Sequence, residues 1–182
     1  MLNFLYQIFL TINATSLIIV VFMIKNHTVI PFLRNYPNWV SYAIFIFIPV
    51  ILTYISLFQT RYLSDDNIGD NIKDIEQANN TFLPSYLGYF FVALSVSDLE
   101  TLIFIFTILF VFTYFSQTLY FNPLFLLFRY QFYYITSENN VKIFLISKKQ
   151  IRDVKGLSFP KLKRINNFTY IDVGGENEPF NS

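Results

Sequence analysis

The chain of 182 residues is 54% hydrophobic and only 14% charged, against the ~25% charged residues of an ordinary soluble domain. So much apolar surface excludes water as its only solvent, and the absence of cysteine excludes disulfides and thiolate metal sites. The net charge of +1 hides an asymmetry: residues 1–120 carry four Lys/Arg and seven Asp/Glu, whereas residues 121–182 carry nine and five.

Residues 2–24 are free of charge and long enough for a first membrane span, since ~20 helical residues cross the ~30 Å hydrocarbon slab. With no Lys or Arg ahead of the apolar core and no small-residue cleavage site, this stretch reads as a retained span rather than a signal peptide. Asn13, Thr15 and Ser16 form its mid-membrane polar cluster, which neutral hydrogen bonding between helices would satisfy. Residues 25–38 are a connection with Lys25, His27 and Arg34, broken by Pro31 and Pro37. Tyr36, Trp39 and Tyr42 lie where an interfacial aromatic belt is expected at the second span, residues 39–58.

Residues 59–81 make the longest connection. Asp65, Asp66, Asp70, Asp74 and Glu76 render it acidic, and Ser64-Asp65-Asp66 reads as a helix N-cap. The third span, 82–98, is the weakest, because its apolar core is short. Asp98 and Glu100 follow in a tight turn, a carboxylate pair near hydrocarbon. They read either as an outward-facing cation, proton or sensing site or as a hydrated turn with Asp98 capping the fourth span, residues 101–120.

Past Asn122-Pro123 the periodicity changes. Residues 130–136 and 141–147 are β-branched and aromatic runs separated by Ser137-Glu138-Asn139-Asn140, a hairpin signal. Residues 148–154 read as a short helical turn ended by Gly156, 168–173 as a third strand, and 174–182 as loose. The expected fold is therefore a membrane all-α protein. It consists of a four-helix transmembrane bundle, residues 1–121, and a small C-terminal cytoplasmic β-rich unit, residues 122–182. Both ends inside would leave eleven Lys/Arg in the cytoplasm and only Lys25 and Arg34 outside, as positive-inside charge bias requires.

No phosphate-binding loop occurs, and the single histidine, His27, cannot supply a metal cluster or a hydrolytic triad. No cofactor, metal or catalytic residue is expected, and no enzyme. Lys148, Lys149, Arg152, Lys155, Lys161, Lys163 and Arg164 form a basic stretch. Anionic lipid and an acidic protein partner are its two compatible readings. Nucleic acid is the weaker third, because stacking aromatics or a recognition helix should accompany such a patch.

The four apolar stretches, the segment Leu83-Pro84-Ser85-Tyr86-Leu87-Gly88-Tyr89 and the tail Asn122-Pro123-Leu124-Phe125-Leu126-Leu127-Phe128-Arg129-Tyr130-Gln131-Phe132-Tyr133 resemble the KwaA family. That family is the membrane component of Kiwa, a bacterial anti-phage defence system. Thr136-Ser137 and Val141-Lys142-Ile143-Phe144-Leu145-Ile146-Ser147-Lys148-Lys149 are similar to the same family's tail. The resemblance implies a non-enzymatic inner-membrane sensor that responds to infection at the envelope. It also implies a homo-oligomer, a tetramer by expectation, and a cytoplasmic DNA-binding effector, KwaB, as partner. No catalytic residue carries over, and effector contacts do not transfer. The rival classes are a small oligomeric pore or toxin and a transporter accessory subunit.

Overall fold

The structure is a computed structural model that describes residues 2–67, 72–81, 83–116, 122–151, 154, 157 and 159–174. Its helices are α1 (Leu2–Lys25), α2 (Asn38–Gln59), α3 (Leu83–Ser95), α4 (Leu99–Ser116) and the single turn α5 (Leu124–Leu127). Its strands are β1 (Asp65–Asp66), β2 (Ile72–Gln77), β3 (Gln131–Ser137), β4 (Lys142–Ser147), β5 (Leu162–Arg164) and β6 (Thr169–Asp172).

The expected all-α bundle with β structure confined to a tail is wrong. The six strands form one mixed sheet in the order β1-β5-β6-β4-β3-β2, and two of them come from the connection between α2 and α3. Asp65 and Asp66 do not cap a helix; they pair with Lys163 and Leu162 of β5. Strand β2 escapes a reading by alternation because its register slips between Ile72 and Asp74. That irregularity lets Ile72 and Ile75, three residues apart, both pack into one core. The four expected spans are unequal in the structure. Among the described residues three helices, 3–25, 38–62 and 99–116, are long and apolar enough to cross a membrane. Helix α3 has 13 residues, ~20 Å at 1.5 Å each.

Helix α1 is the hub against which α2, α3 and α4 all pack. Small and hydroxyl side chains are buried on both α1 (Thr11, Asn13, Ala14 and Thr15) and α2 (Ser41, Thr53 and Ser56), and Asn13 meets Thr53 between the two helices. Small residues let helices approach closely where apolar surface outside the bundle provides no drive to associate. At the far end, Ile18, Phe22, Ala93, Val96 and Leu102 close the core. There Lys25 Nζ donates to the Val96 carbonyl across 2.6 Å, a cation on the C-terminal end of α3.

The β3–β4 hairpin is as expected. Asn140 adopts a left-handed conformation in its turn, with φ 58°, which asparagine tolerates. Strand β6 occupies the expected third-strand position but runs parallel to β4, while β5 joins β6 antiparallel. Strands β1 and β2 lie at opposite edges, although only six chain steps separate Asp66 from Ile72. A flat six-stranded sheet is about 24 Å from edge to edge, and six extended residues reach only about 21 Å. The sheet therefore curls, bringing its edges together.

Alternation along the strands places apolar side chains on both faces. Phe132, Phe144, Ile146 and Ile171 join Tyr6 and Leu10 of α1 and Phe125 of α5 in one core. Tyr133, Ile135, Ile143, Leu145 and Leu162 form the other, closed by Ile151, Leu157 and Phe159. Helix α5 ends in a Schellman motif: the N–H of Arg129 bonds the Leu126 carbonyl and that of Tyr130 the Phe125 carbonyl. The Phe125 and Tyr130 rings meet edge to face at 6.1 Å, and Arg129 takes the left-handed position, φ 64°.

Candidate functional site: the junction of helices and sheet

The N-terminal turns of α1 are bound to the sheet. Asn3 Nδ2 donates to the Arg164 carbonyl at 2.9 Å and Gln7 Nε2 to the Ile165 carbonyl at 2.7 Å. The end of α2 reaches the same strand, because Arg164 N–H bonds the Ser64 carbonyl and Lys163 Nζ donates to the Leu63 carbonyl at 3.1 Å. Three residues of β5 thus tie α1, the end of α2 and β6 together. Below this junction, Asn13 of α1 sits against Thr53 of α2 and Asn122, all three buried. With its Oδ1 toward Asn122 Nδ2 (3.0 Å) and Thr53 Oγ1 (2.8 Å), its Nδ2 reaches the Pro49 carbonyl at 3.2 Å. Pro49 lies inside the continuous α2 there, and the amide crosses between helices at that point. Thr15 and Ser16 instead donate to carbonyls of their own helix; of the expected polar cluster, Asn13 is the member that bridges.

The basic stretch is dispersed rather than gathered. Lys163 Nζ lies 2.7 Å from Asp65 Oδ1 and Arg164 Nε 3.5 Å from Asp66 Oδ2, so the acidic connection and the basic tail offset each other along the β1–β5 edge. Lys149 Nζ approaches Asp172 Oδ2 at 4.0 Å. Asp172 is buried and also accepts from Ser147 Oγ and Gly174 N–H, each at 2.9 Å. A Cβ at Gly174 would meet that carboxylate at 2.9 Å, so a larger residue there would have to displace it. Lys148 Nζ lies over the Tyr130 ring at 5.3 Å. Lys161 is exposed, and its carbonyl receives Val173 N–H. Arg152, Asp153, Lys155 and Gly156 lie outside the described residues, as do residues 175–182 of the tail expected to be loose, and the described part of the expected helical turn, 148–151 and 154, is not helical.

Other predicted positions are structural. Asp98 caps α4: Oδ1 accepts from Thr101 N–H at 2.8 Å, and Oδ2 from Thr101 Oγ1 at 2.9 Å and Ser97 Oγ at 3.1 Å. The Thr101 backbone bond, then its hydroxyl, hold the carboxyl below its ordinary value. Glu100 occupies the first turn of α4, where a negative charge suits the helix dipole. His27 Nδ1 contacts Tyr42 Oη at 3.1 Å.

Sequence reasoning missed Asn3, Gln7, Asn79 and Asn122. Asn79 Oδ1 accepts Phe132 N–H at 2.8 Å, and its amide also meets Gln131 Oε1, pinning the entry to α3 against β3. Their one signal was amide side chains within or beside apolar runs. Tyr133 Oη donates to the Lys149 carbonyl at 2.9 Å and accepts from Ile151 N–H at 3.1 Å; burial pushes this phenol above its ordinary value. Burial does the same to Tyr130 and Tyr170.

Among the described residues, no group of three or more His, Asp and Glu converges as a metal site would require. These contacts define a class: an apolar helical bundle interlocked with a curled mixed sheet, whose polar side chains at the junction chiefly join one element to another. A family model described as "Anti-phage protein KwaA" matches residues 6–171, from the first turns of α1 into β6, and the chain belongs to that family. No curated protein and no solved structure matches it.

Proposed function

We propose that this anti-phage defence protein is a non-enzymatic membrane sensor and scaffold. Its helices lie in the bacterial inner membrane, its sheet and both chain ends face the cytoplasm, and it assembles as a homo-oligomer, a tetramer by expectation. The sheet holds a cytoplasmic effector of the KwaB kind, which meets DNA in place of this chain. One observation carries the reading: β5 and Ile165 just after it are bonded to α1 through Asn3 and Gln7, and β5 to the segment following α2 through Leu63 and Ser64. A displacement of either helix is thereby delivered to the sheet. Charge bias supports the orientation, since Lys25 and Arg34 stand at the far end while Arg61, Lys73 and the tail cations belong to the sheet side.

The pore reading gains no support within one copy. The hydroxyls of Thr11, Thr15 and Ser56 donate to carbonyls of their own helices and are 0% exposed, packed inside the bundle rather than along an open path. Co-purification with the product of the neighbouring gene tests the proposal. The effector should leave detergent-extracted membranes with this protein; an effector found wholly in the soluble fraction beside intact membrane-inserted protein refutes the scaffold role.

A further inference from the structure

The connection between α1 and α2 is ordered yet almost wholly uncovered. Asn26, His27 and Thr28 N–H groups close the end of α1, Leu33 and Tyr36 N–H groups bond the Ile30 and Leu33 carbonyls, and Ser41 Oγ accepts from Ile30 N–H at 3.2 Å. On this fixed backbone every residue from 31 to 39 except Leu33 is exposed. Phe32 is 90% exposed, Trp39 66% and Tyr36 58%. Within the connection the charge is of one sign, Lys25 and Arg34; Asp98 and Glu100 belong to the separate α3–α4 turn at the same end of the bundle. Lys25 is engaged with Val96, whereas the Arg34 side chain is exposed.

We propose that this connection is a phospholipid-headgroup site, with Phe32, Tyr36 and Trp39 seated in the interface and Arg34 binding the phosphate of an anionic lipid. The proposal rests on the membrane reading above and deepens it. Both flanking helices are apolar enough to cross a bilayer, so their shared end falls at its surface. Tryptophan and tyrosine prefer that depth because one edge of the ring is apolar and the other polar. A guanidinium fork matches phosphate oxygens. A symmetric contact between two copies through this face would bring Arg34 toward Arg34, with no carboxylate in the connection to offset them.

Trp39 is the only tryptophan, so the native chain carries its own probe. The full chain in lipid nanodiscs should show Trp39 emission quenched by phospholipids brominated high on their acyl chains. Brominated phosphatidylglycerol should be favoured over phosphatidylcholine about fivefold, the equivalent of one cation near an anionic surface, and Arg34→Gln should remove that preference. Quenching by aqueous iodide but not by brominated lipid overturns the proposal, and shielding from both overturns it by placing protein over Trp39. Equal quenching by the two lipids overturns the phosphate contact. Failure of the chain to enter nanodiscs at all is a different result, which brings down the membrane reading itself.

Discussion

Gln7 Nε2 donates to the carbonyl of Ile165 across 2.7 Å, joining residues 158 positions apart. The bond joins a helix long and apolar enough to span a membrane to the sheet, and Asn3 repeats it one turn earlier on the Arg164 carbonyl. Two amides on one face of α1 therefore hold the end of β5.

Replacing both with Leu should leave the helices intact and free β5. Each lost bond is worth about 1 kcal/mol, and a stranded carbonyl adds to the cost. Amide exchange at Ile165 and Arg164 should accelerate while exchange in the middle of α1 stays slow. Unchanged exchange at β5 would show that the β1 and β6 pairings alone hold it.

The buried node at Asn13 should respond as a unit. Asn13→Leu removes one partner each from Asn122 Nδ2 and the Pro49 carbonyl, which retain Thr53, a cost of about 1 kcal/mol, or nearer ~0.6 kcal/mol if the membrane-unfolded chain finds substitutes. Asn122→Leu should cost a similar amount, and the double variant less than the sum. Additive losses in thermal unfolding would mean that the two amides act independently.

Arg129 has a left-handed backbone at the end of α5, where glycine is the usual residue. Arg129→Gly should stabilise the protein by about 0.5–1 kcal/mol, read as a higher unfolding temperature. A lower temperature would show that the Arg129 side chain contributes more than its backbone strain removes.

Asp98 gives a pH dependence of definite sign. Its folded carboxyl titrates below the ordinary value, so its capping contribution is complete above the unfolded value and disappears as pH falls through the folded one. Exchange protection of the Thr101 amide, corrected for intrinsic rates, should stay flat from neutral pH through mildly acid conditions and drop only in strong acid. Asp98→Asn keeps an acceptor and should abolish the drop. Loss of protection near neutrality would contradict the assignment.

Much of the fold can be read from local pattern. Long uncharged apolar runs mark α1, α2 and α4, and continuous β-branched and aromatic runs mark β3 and β4 because both their faces enter cores. What escaped has a physical reason. Strand β1 is Asp65-Asp66 and two of the three residues of β5 are cationic, so each alone resembles a solvated loop; their pairing depends on a partner nearly 100 positions away. The displaced register at Ile72 disguises β2. The same long-range pairing scattered the supposed docking patch, because a run of cations in sequence does not reveal which already face a carboxylate. Asn13 was legible, as an amide amid apolar neighbours must find a partner; that its partners would be Thr53 and Asn122 was not.

That scattering separates two kinds of charge reversal. Lys149→Glu would set a second carboxylate beside Asp172, whose side chain is 0% exposed, and like charges there cannot both ionise without large cost. This variant should fail in stability, with low abundance in membranes. Lys148→Glu with Lys161→Glu alters the described cations of the basic stretch that make no ion pair within 4.0 Å. This pair should insert and accumulate as wild type does. If the cationic face docks an acidic effector, it should also lose co-purification of that partner at physiological salt, with the slowed association expected when rim charges are reversed. If effector recovery is equal for wild type and the Lys148→Glu, Lys161→Glu pair, docking does not use these cations. The search then moves to the outer edge of β2, where Lys73, Asp74 and Glu76 are exposed beside backbone groups that a further strand could pair.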